Sequence, residues 1–185
     1  MDTFVVLLRG INVGGHNKLP MAELRGALTT AEFTDVRTFI QSGNVVLTAS
    51  ASSADVVGAR VRSIIATQFG LDIPAIALSA EDLAGIAGQN PYPDEPEPRR
   101  LHAIVLPHAP GEATLAAAAE RQEAAAAKGA RDTVTVVGRV AYLHTPDGFG
   151  TSELARTLTS GARAPLADGT ARNWATITKL LELCQ

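Results

Sequence analysis

The sequence predicts an α+β fold made of two halves. Three observations carry that expectation. Phe4, Val5, Val6, Leu7 and Leu8 form an apolar run without alternation, which reads as a strand covered on both faces. Short β-rich runs then alternate with apolar residues at helical spacing. A proline-rich break at residues 90–98 separates this first half from a second half that echoes its element order.

In the first half a strand is expected over residues 3–8. Pro20 suits a first helical turn, and Met21, Leu24 and Leu28 follow at helical spacing. Two β-rich runs come next, over 35–40 and 44–48, joined by Gln41-Ser42-Gly43-Asn44 as a tight hairpin connection. Ser52-Ser53 can cap a second helix that carries Val57, Val61, Ile64, Ile65 and Phe69, with Gly70 as its natural stop. A further strand is expected over 73–78. The order β-α-β-β-α-β is that of a ferredoxin-like unit.

Ser79 and Asp82 have nearly the spacing of a capping box and open a short helix. The proline-rich segment to residue 98 reads as a solvated connection. The second half begins with a strand over 101–106, then an alanine-rich helix over 112–127 stopped by Lys128-Gly129. A hairpin over 133–144 turns at Gly138-Arg139. Thr151 or Ser152 opens a helix ending near Gly161, and Thr170 caps the last helix. The expected buried stripe of that helix is Trp174, Ile177, Leu181 and Cys184, with Leu180 beside it. The second half thus reads β-α-β-β-α plus an extra helix, smaller than the first half and packed on it. The expected organisation is a ferredoxin-like subdomain over 1–78, a connection over 79–98 and a second α+β subdomain over 99–185.

Composition narrows the function. The chain has 185 residues and a net charge of −3, so it lacks a protein-wide basic field for nucleic acid. Thirteen arginines against three lysines, beside abundant alanine, read as background composition. The single cysteine, Cys184, fits a reducing compartment, and a cytoplasmic protein is inferred. The first apolar run is too short for a signal peptide or a membrane span.

The stretch from Leu8 to Pro20 places three glycines, two asparagines, an arginine and a lysine between a strand and a helix. Backbone N–H groups and cations gathered in this way suit an anion. In a ferredoxin-like unit the loop after the first strand and the hairpin after the second lie at one end of the sheet. Arg9, Asn12, Lys18, Gln41, Ser42 and Asn44 are therefore expected on one rim, with Gly14 and Gly15 presenting N–H groups. The competing reading gives these glycines and amides to turn geometry. The glycine spacing matches neither a Walker loop nor the dinucleotide fingerprint, so it names no cofactor.

The segments LLRGINVGGHNKLPMAELR, FTDVRTFIQSGNVVL, NPYP, YLHTPDGFGTSEL and TARNWATITKLLEL resemble the domain of unknown function 1697 family of bacterial proteins. The resemblance runs from the first strand to the last helix. It implies two α+β subdomains, the first ferredoxin-like, and carries no activity with it. The family's motif positions present here are Arg9, Gly10, Asn12, Gly14, Gly15, Lys18, Gln41, Ser42, Gly43 and Asn44, then Arg172, Asn173, Trp174 and Thr176. Arg172 and Asn173 are expected in the first turn of the last helix, where free N–H groups favour an anion.

No metal site is expected from His102, His108 and His144, which lack carboxylate or cysteine partners at ligand spacing. Cys184 has no histidine partner, and Ser42 is outside any nucleophile elbow. The favoured function is a cytoplasmic binding module for a small anionic or phosphorylated ligand, a nucleotide among the candidates. The alternative is an enzyme in the same cleft, with Arg9 and Lys18 as electrostatic stabilisers but no general base in the motif set. Nucleic-acid binding ranks third, because strand one offers only Phe4 as a stacking aromatic.

Overall fold

The computed structural model describes residues 1–51 and 53–185. Ser52, one of the two expected capping serines, lies outside the described residues. The chain divides into two compact units, Met1–Gly85 with Lys179–Gln185, and Ile86–Thr178. The division falls inside two helices, whereas the expected boundaries lay at 78 and 99.

The first unit contains β1 (Asp2–Leu8), α1 (Met21–Thr30), β2 (Thr34–Phe39), β3 (Asn44–Ala49), α2 (Ala54–Phe69) and β4 (Ala75–Ser79). Its antiparallel sheet runs in the order β2-β3-β1-β4, the ferredoxin-like order the sequence predicts. Phe4, Val6 and Leu8 enter a core with Leu24 and Leu28 of α1 and Val57, Val61 and Ile65 of α2. Val5 and Leu7 are buried as well. The unalternating run is thus covered on both faces, as its composition requires. Helix α2 starts at Ser53, whose Oγ accepts from Val56 N, and stops at Gly70 in the left-handed region.

Helix α3 (Ala80–Gly88) opens with a reciprocal box in which Asp82 N donates to Ser79 Oγ and Ser79 N donates to Asp82 Oδ2.

The second unit contains β5 (Leu101–Val105), α4 (Glu112–Ala126), β6 (Thr133–Val137), β7 (Val140–His144), α5 (Glu153–Thr159) and β8 (Thr170–Asn173). Its sheet runs β6-β7-β5-β8, the topology of the first unit repeated in full. This corrects the sequence-based expectation in one respect. Thr170 does not cap a helix. Residues Thr170–Asn173 pair antiparallel with Val105–His102 of β5 and complete the sheet. Helix α6 (Trp174–Leu183) begins one residue later, with Asn173 Oδ1 accepting from Thr176 N at 2.9 Å. The physical reason is that β5 would otherwise end the sheet with an open ladder of N–H and C=O groups. The buried face of α6 also differs from the expected stripe. Thr176, Ile177 and Leu180 are buried, while Trp174, Leu181 and Cys184 are half-buried. The Trp174 ring packs at a tilt against Tyr142, 6.3 Å between centroids.

The proline-rich connection docks on the sheet instead of lying free in solvent. Tyr92 Oη lies 3.0 Å from both Thr133 Oγ and Thr135 Oγ of β6. The Tyr92 ring stacks on His144, whose Nε2 lies 2.6 Å from Glu95 Oε2. The bond to Glu97 N and then the His144 contact hold the Glu95 carboxyl below its ordinary range. Composition alone predicts a solvated linker; a tyrosine and a carboxylate with partners on distant strands overrule it.

Candidate functional site

The loop and hairpin residues expected from sequence lie within the first unit; Arg172 and Asn173 do not. Strand β1 ends at Leu8, and Leu8 N donates to Gly43 O at 2.8 Å. The exit loop and the β2–β3 hairpin therefore touch at their first residues. Gly43 has φ +83, and a Cβ there would lie 2.7 Å from Leu8 Cβ and 2.8 Å from Ile11 Cδ1. Only glycine allows this close approach.

Between the buried anchors Ile11 and Leu19 the loop folds back on itself. Asn12 N donates to Asn17 O, and His16 N donates to Val13 O at 3.0 Å. The tip is Gly14-Gly15, with φ of +58 and +80. Two consecutive positive values are what a type I′ turn demands. Both glycines are exposed, and among the described residues their N–H groups have no protein acceptor.

Asn12 ties the two loops together. Its Nδ2 donates to Leu19 O at 3.0 Å and to Gln41 O at 2.9 Å, and its Oδ1 accepts from Leu19 N at 2.9 Å. Its φ of +54 is tolerated by asparagine far better than by most residues. Asn44 does similar work in the hairpin. It is fully buried, and its Nδ2 donates to Phe39 O and Ser42 Oγ, each at 3.0 Å. Asn17 adds a third tie, from Nδ2 to Gly10 O. Ile40, a β-branched residue, is held at φ +48 beside the hairpin and is exposed. That conformation is costly for its side chain.

The expected rim residues therefore fall into two groups. Asn12 and Asn44 are framework, the amide of Asn12 spent on the backbone and that of Asn44 on Phe39 O and Ser42 Oγ. Lys18, Gln41, Ser42, Gly14 and Gly15 are exposed, and Arg9 is half-buried. Arg9 N bonds Pro74 O at 3.0 Å, which fixes its backbone at the end of the sheet.

Arg172 and Asn173 belong to the second unit. Arg172 lies on β8 and not in a helical turn. It is buried, which pushes its guanidinium down to about 10, and its Nη1 donates to Thr170 Oγ and Ala171 O. Asn173 spends its Oδ1 on the cap of α6.

Sequence reasoning weighed His102 only as a metal ligand and did not foresee its buried stacking. Its ring stacks on Phe149, 4.0 Å between centroids. Burial pushes the imidazole down to about 4, and its buried Nδ1 has no hydrogen-bond partner among the described residues. Tyr142, buried with its Oη donating to Ile86 O at 2.8 Å, is pushed up to about 12 for the same reason. The only hint in the sequence was a histidine inside an otherwise apolar strand.

Comparison with known proteins agrees with this architecture. A sequence model described as "Protein of unknown function (DUF1697)" matches residues 1–142, so it spans both loops of the rim. The chain belongs to the DUF1697 family. Among solved structures it is similar to a conserved bacterial protein from Streptococcus pneumoniae, with 23% sequence identity and a TM-score of 0.65. That likeness covers 100% of this chain and 99% of the other, and it supports the fold. The comparison with curated proteins returns no match. Among the described residues, no helix is long and apolar enough to cross a membrane.

Proposed function

We propose that this DUF1697 protein is a binding module for a small anionic or phosphorylated ligand, held at the rim formed by the 9–18 loop and the 41–44 hairpin. The observation that carries the reading is the Asn12 amide, which bonds both loops at once. It ties the loop that carries Arg9 and Lys18 to the hairpin that carries Gln41 and Ser42. The N–H groups of Gly14 and Gly15 add two donors on the same loop. Lys18 supplies a point charge, and Arg9 a planar fork suited to phosphate or carboxylate. The strained Ile40 beside Gln41 supports the reading, since strain of this kind gathers at ligand sites.

The stacking platform of an RNA-binding ferredoxin-like unit is a poorer fit. Phe4 is buried in β1, and β3 carries no aromatic residue.

A thermal-shift screen against sugar phosphates and nucleotides, followed by calorimetric titration of the best ligand, tests the proposal. Arg9→Ala should weaken binding by more than ~1 kcal/mol, the ceiling for a solvated surface charge. Equal affinity together with a lower melting temperature would leave Arg9 a scaffold residue.

A further inference from the structure

Within the second unit, α4 and α5 bring three arginines to one cavity. Arg121 of α4, Arg156 of α5 and Arg163 of the turn after α5 line a pocket of about 310 Å³, with Thr157 and Ser160 between them. Among the described residues no carboxylate lines it. All three arginines are exposed, and among the described residues no hydrogen bond or ion pair engages their guanidinium groups. Glu153 is bonded to Lys128 at 2.6 Å and acts on Arg156 only through space.

Two exposed arginines elsewhere in this chain have carboxylate partners. Arg62 forks onto Asp72 at 2.8 and 3.0 Å, and Arg131 bonds Asp147. Three guanidiniums that share a concavity without a counter-charge repel one another, and a bound anion removes that cost. The turn beside them adds donors. Ala164 N closes it onto Gly161 O at 3.1 Å, which leaves the N–H groups of Ala162 and Arg163 without protein acceptors among the described residues.

We propose that the Arg121–Arg156–Arg163 pocket binds the phosphate or diphosphate group of a small phosphorylated molecule. Arginine forks match phosphate oxygens in geometry and charge. The ligand has room beyond its anionic group. A larger cleft of about 540 Å³ shares Arg156 and Ser160 with this pocket and runs along α5 to Phe149. The pocket is concave, and the chain as a whole is acidic with net charge −3. Both features favour a compact multivalent anion over a nucleic-acid backbone, which needs an extended basic track.

The test is calorimetric titration of the full chain with inorganic pyrophosphate at low salt, backed by amide chemical-shift mapping. Saturable binding is expected, weakened at least tenfold by Arg156→Ala and by Arg163→Gln. Arg62→Ala in the first unit should change it less than twofold. The amides of Ala162 and Arg163 should shift on titration. If Arg156→Ala fails to fold, Arg163→Gln in its exposed turn carries the test. Absence of binding, equal losses in Arg62→Ala, or shifts confined to residues 9–18 would overturn the proposal. So would tight binding of a single-stranded oligonucleotide with no response to pyrophosphate.

Discussion

The two units solve one topological problem with different side chains. In both, the residue at the exit of the first strand donates its N–H to the hairpin between the second and third strands. The bonds are Leu8 N to Gly43 O at 2.8 Å and Leu106 N to Arg139 O at 2.9 Å. In the second unit the hairpin turns tightly at Gly138-Arg139, and the exit loop proceeds through Pro107. Arg139 turns back toward the exit loop, its Nη1 3.5 Å from Pro107 O. In the first unit three asparagine amides brace the join, and a glycine turn projects from it. Shared topology brings two loops together; the residues placed there decide whether the join is merely closed or carries donors.

The sharpest way to break this comparison is at the two hairpin glycines. Gly43→Ala forces a Cβ into Leu8 and Ile11 at a positive φ. It should cost roughly 3–5 kcal/mol in chemical denaturation, from overpacking plus backbone strain. At Gly138, φ is +57 but nothing lies within 4 Å of the added Cβ. Gly138→Ala should cost about 1 kcal/mol. Equal costs would mean the two joins are packed alike.

Acid should separate the units next. His102 is held down to about 4 by burial, against an ordinary value of 6.5. Because the folded value is the lower one, protonation favours the unfolded chain. Its stability contribution is full above 6.5, declines as pH falls towards 4 and is lost below that. The loss reaches about 3 kcal/mol. His102→Phe keeps the ring against Phe149 and should flatten the stability profile between pH 6.5 and 4. An unchanged profile would mean that His102 titrates as a solvated side chain.

Asn12→Ala removes three hydrogen bonds and puts alanine at a left-handed φ. A loss of roughly 2–3 kcal/mol is expected. Asn12→Asp, which lacks the two N–H donors, should recover only the φ tolerance and the bond from Leu19 N. Denaturation of the three proteins in parallel checks the order. The smallest effect belongs to Asn173→Ala, which removes the N-cap of α6 and should cost about 1 kcal/mol.

Much of the fold was legible because burial leaves a pattern. The unalternating β1 implied two covered faces, and the element order implied a sheet in which β1 lies between β3 and β4. Strand β8 was not legible. Thr-Ala-Arg-Asn has neither alternation nor apolar length, and its strand character comes from the open edge of β5. The site was half legible. Sequence placed the two loops together, but whether an asparagine amide faces a ligand or a carbonyl depends on geometry over 29 residues of separation. The docking of Tyr92 and Glu95 depends on partners 41 to 49 residues away and leaves only a proline-rich composition in the sequence.

The most direct test of the rim is a titration of the isotope-labelled chain with inorganic phosphate, followed through its backbone amides. Saturable shifts are expected at Gly14, Gly15, Gln41 and Ser42, abolished together by Lys18→Ala. Phosphate that leaves those four amides unmoved, or moves them equally in Lys18→Ala, would contradict the binding role and reduce the 9–18 loop to a brace for the sheet.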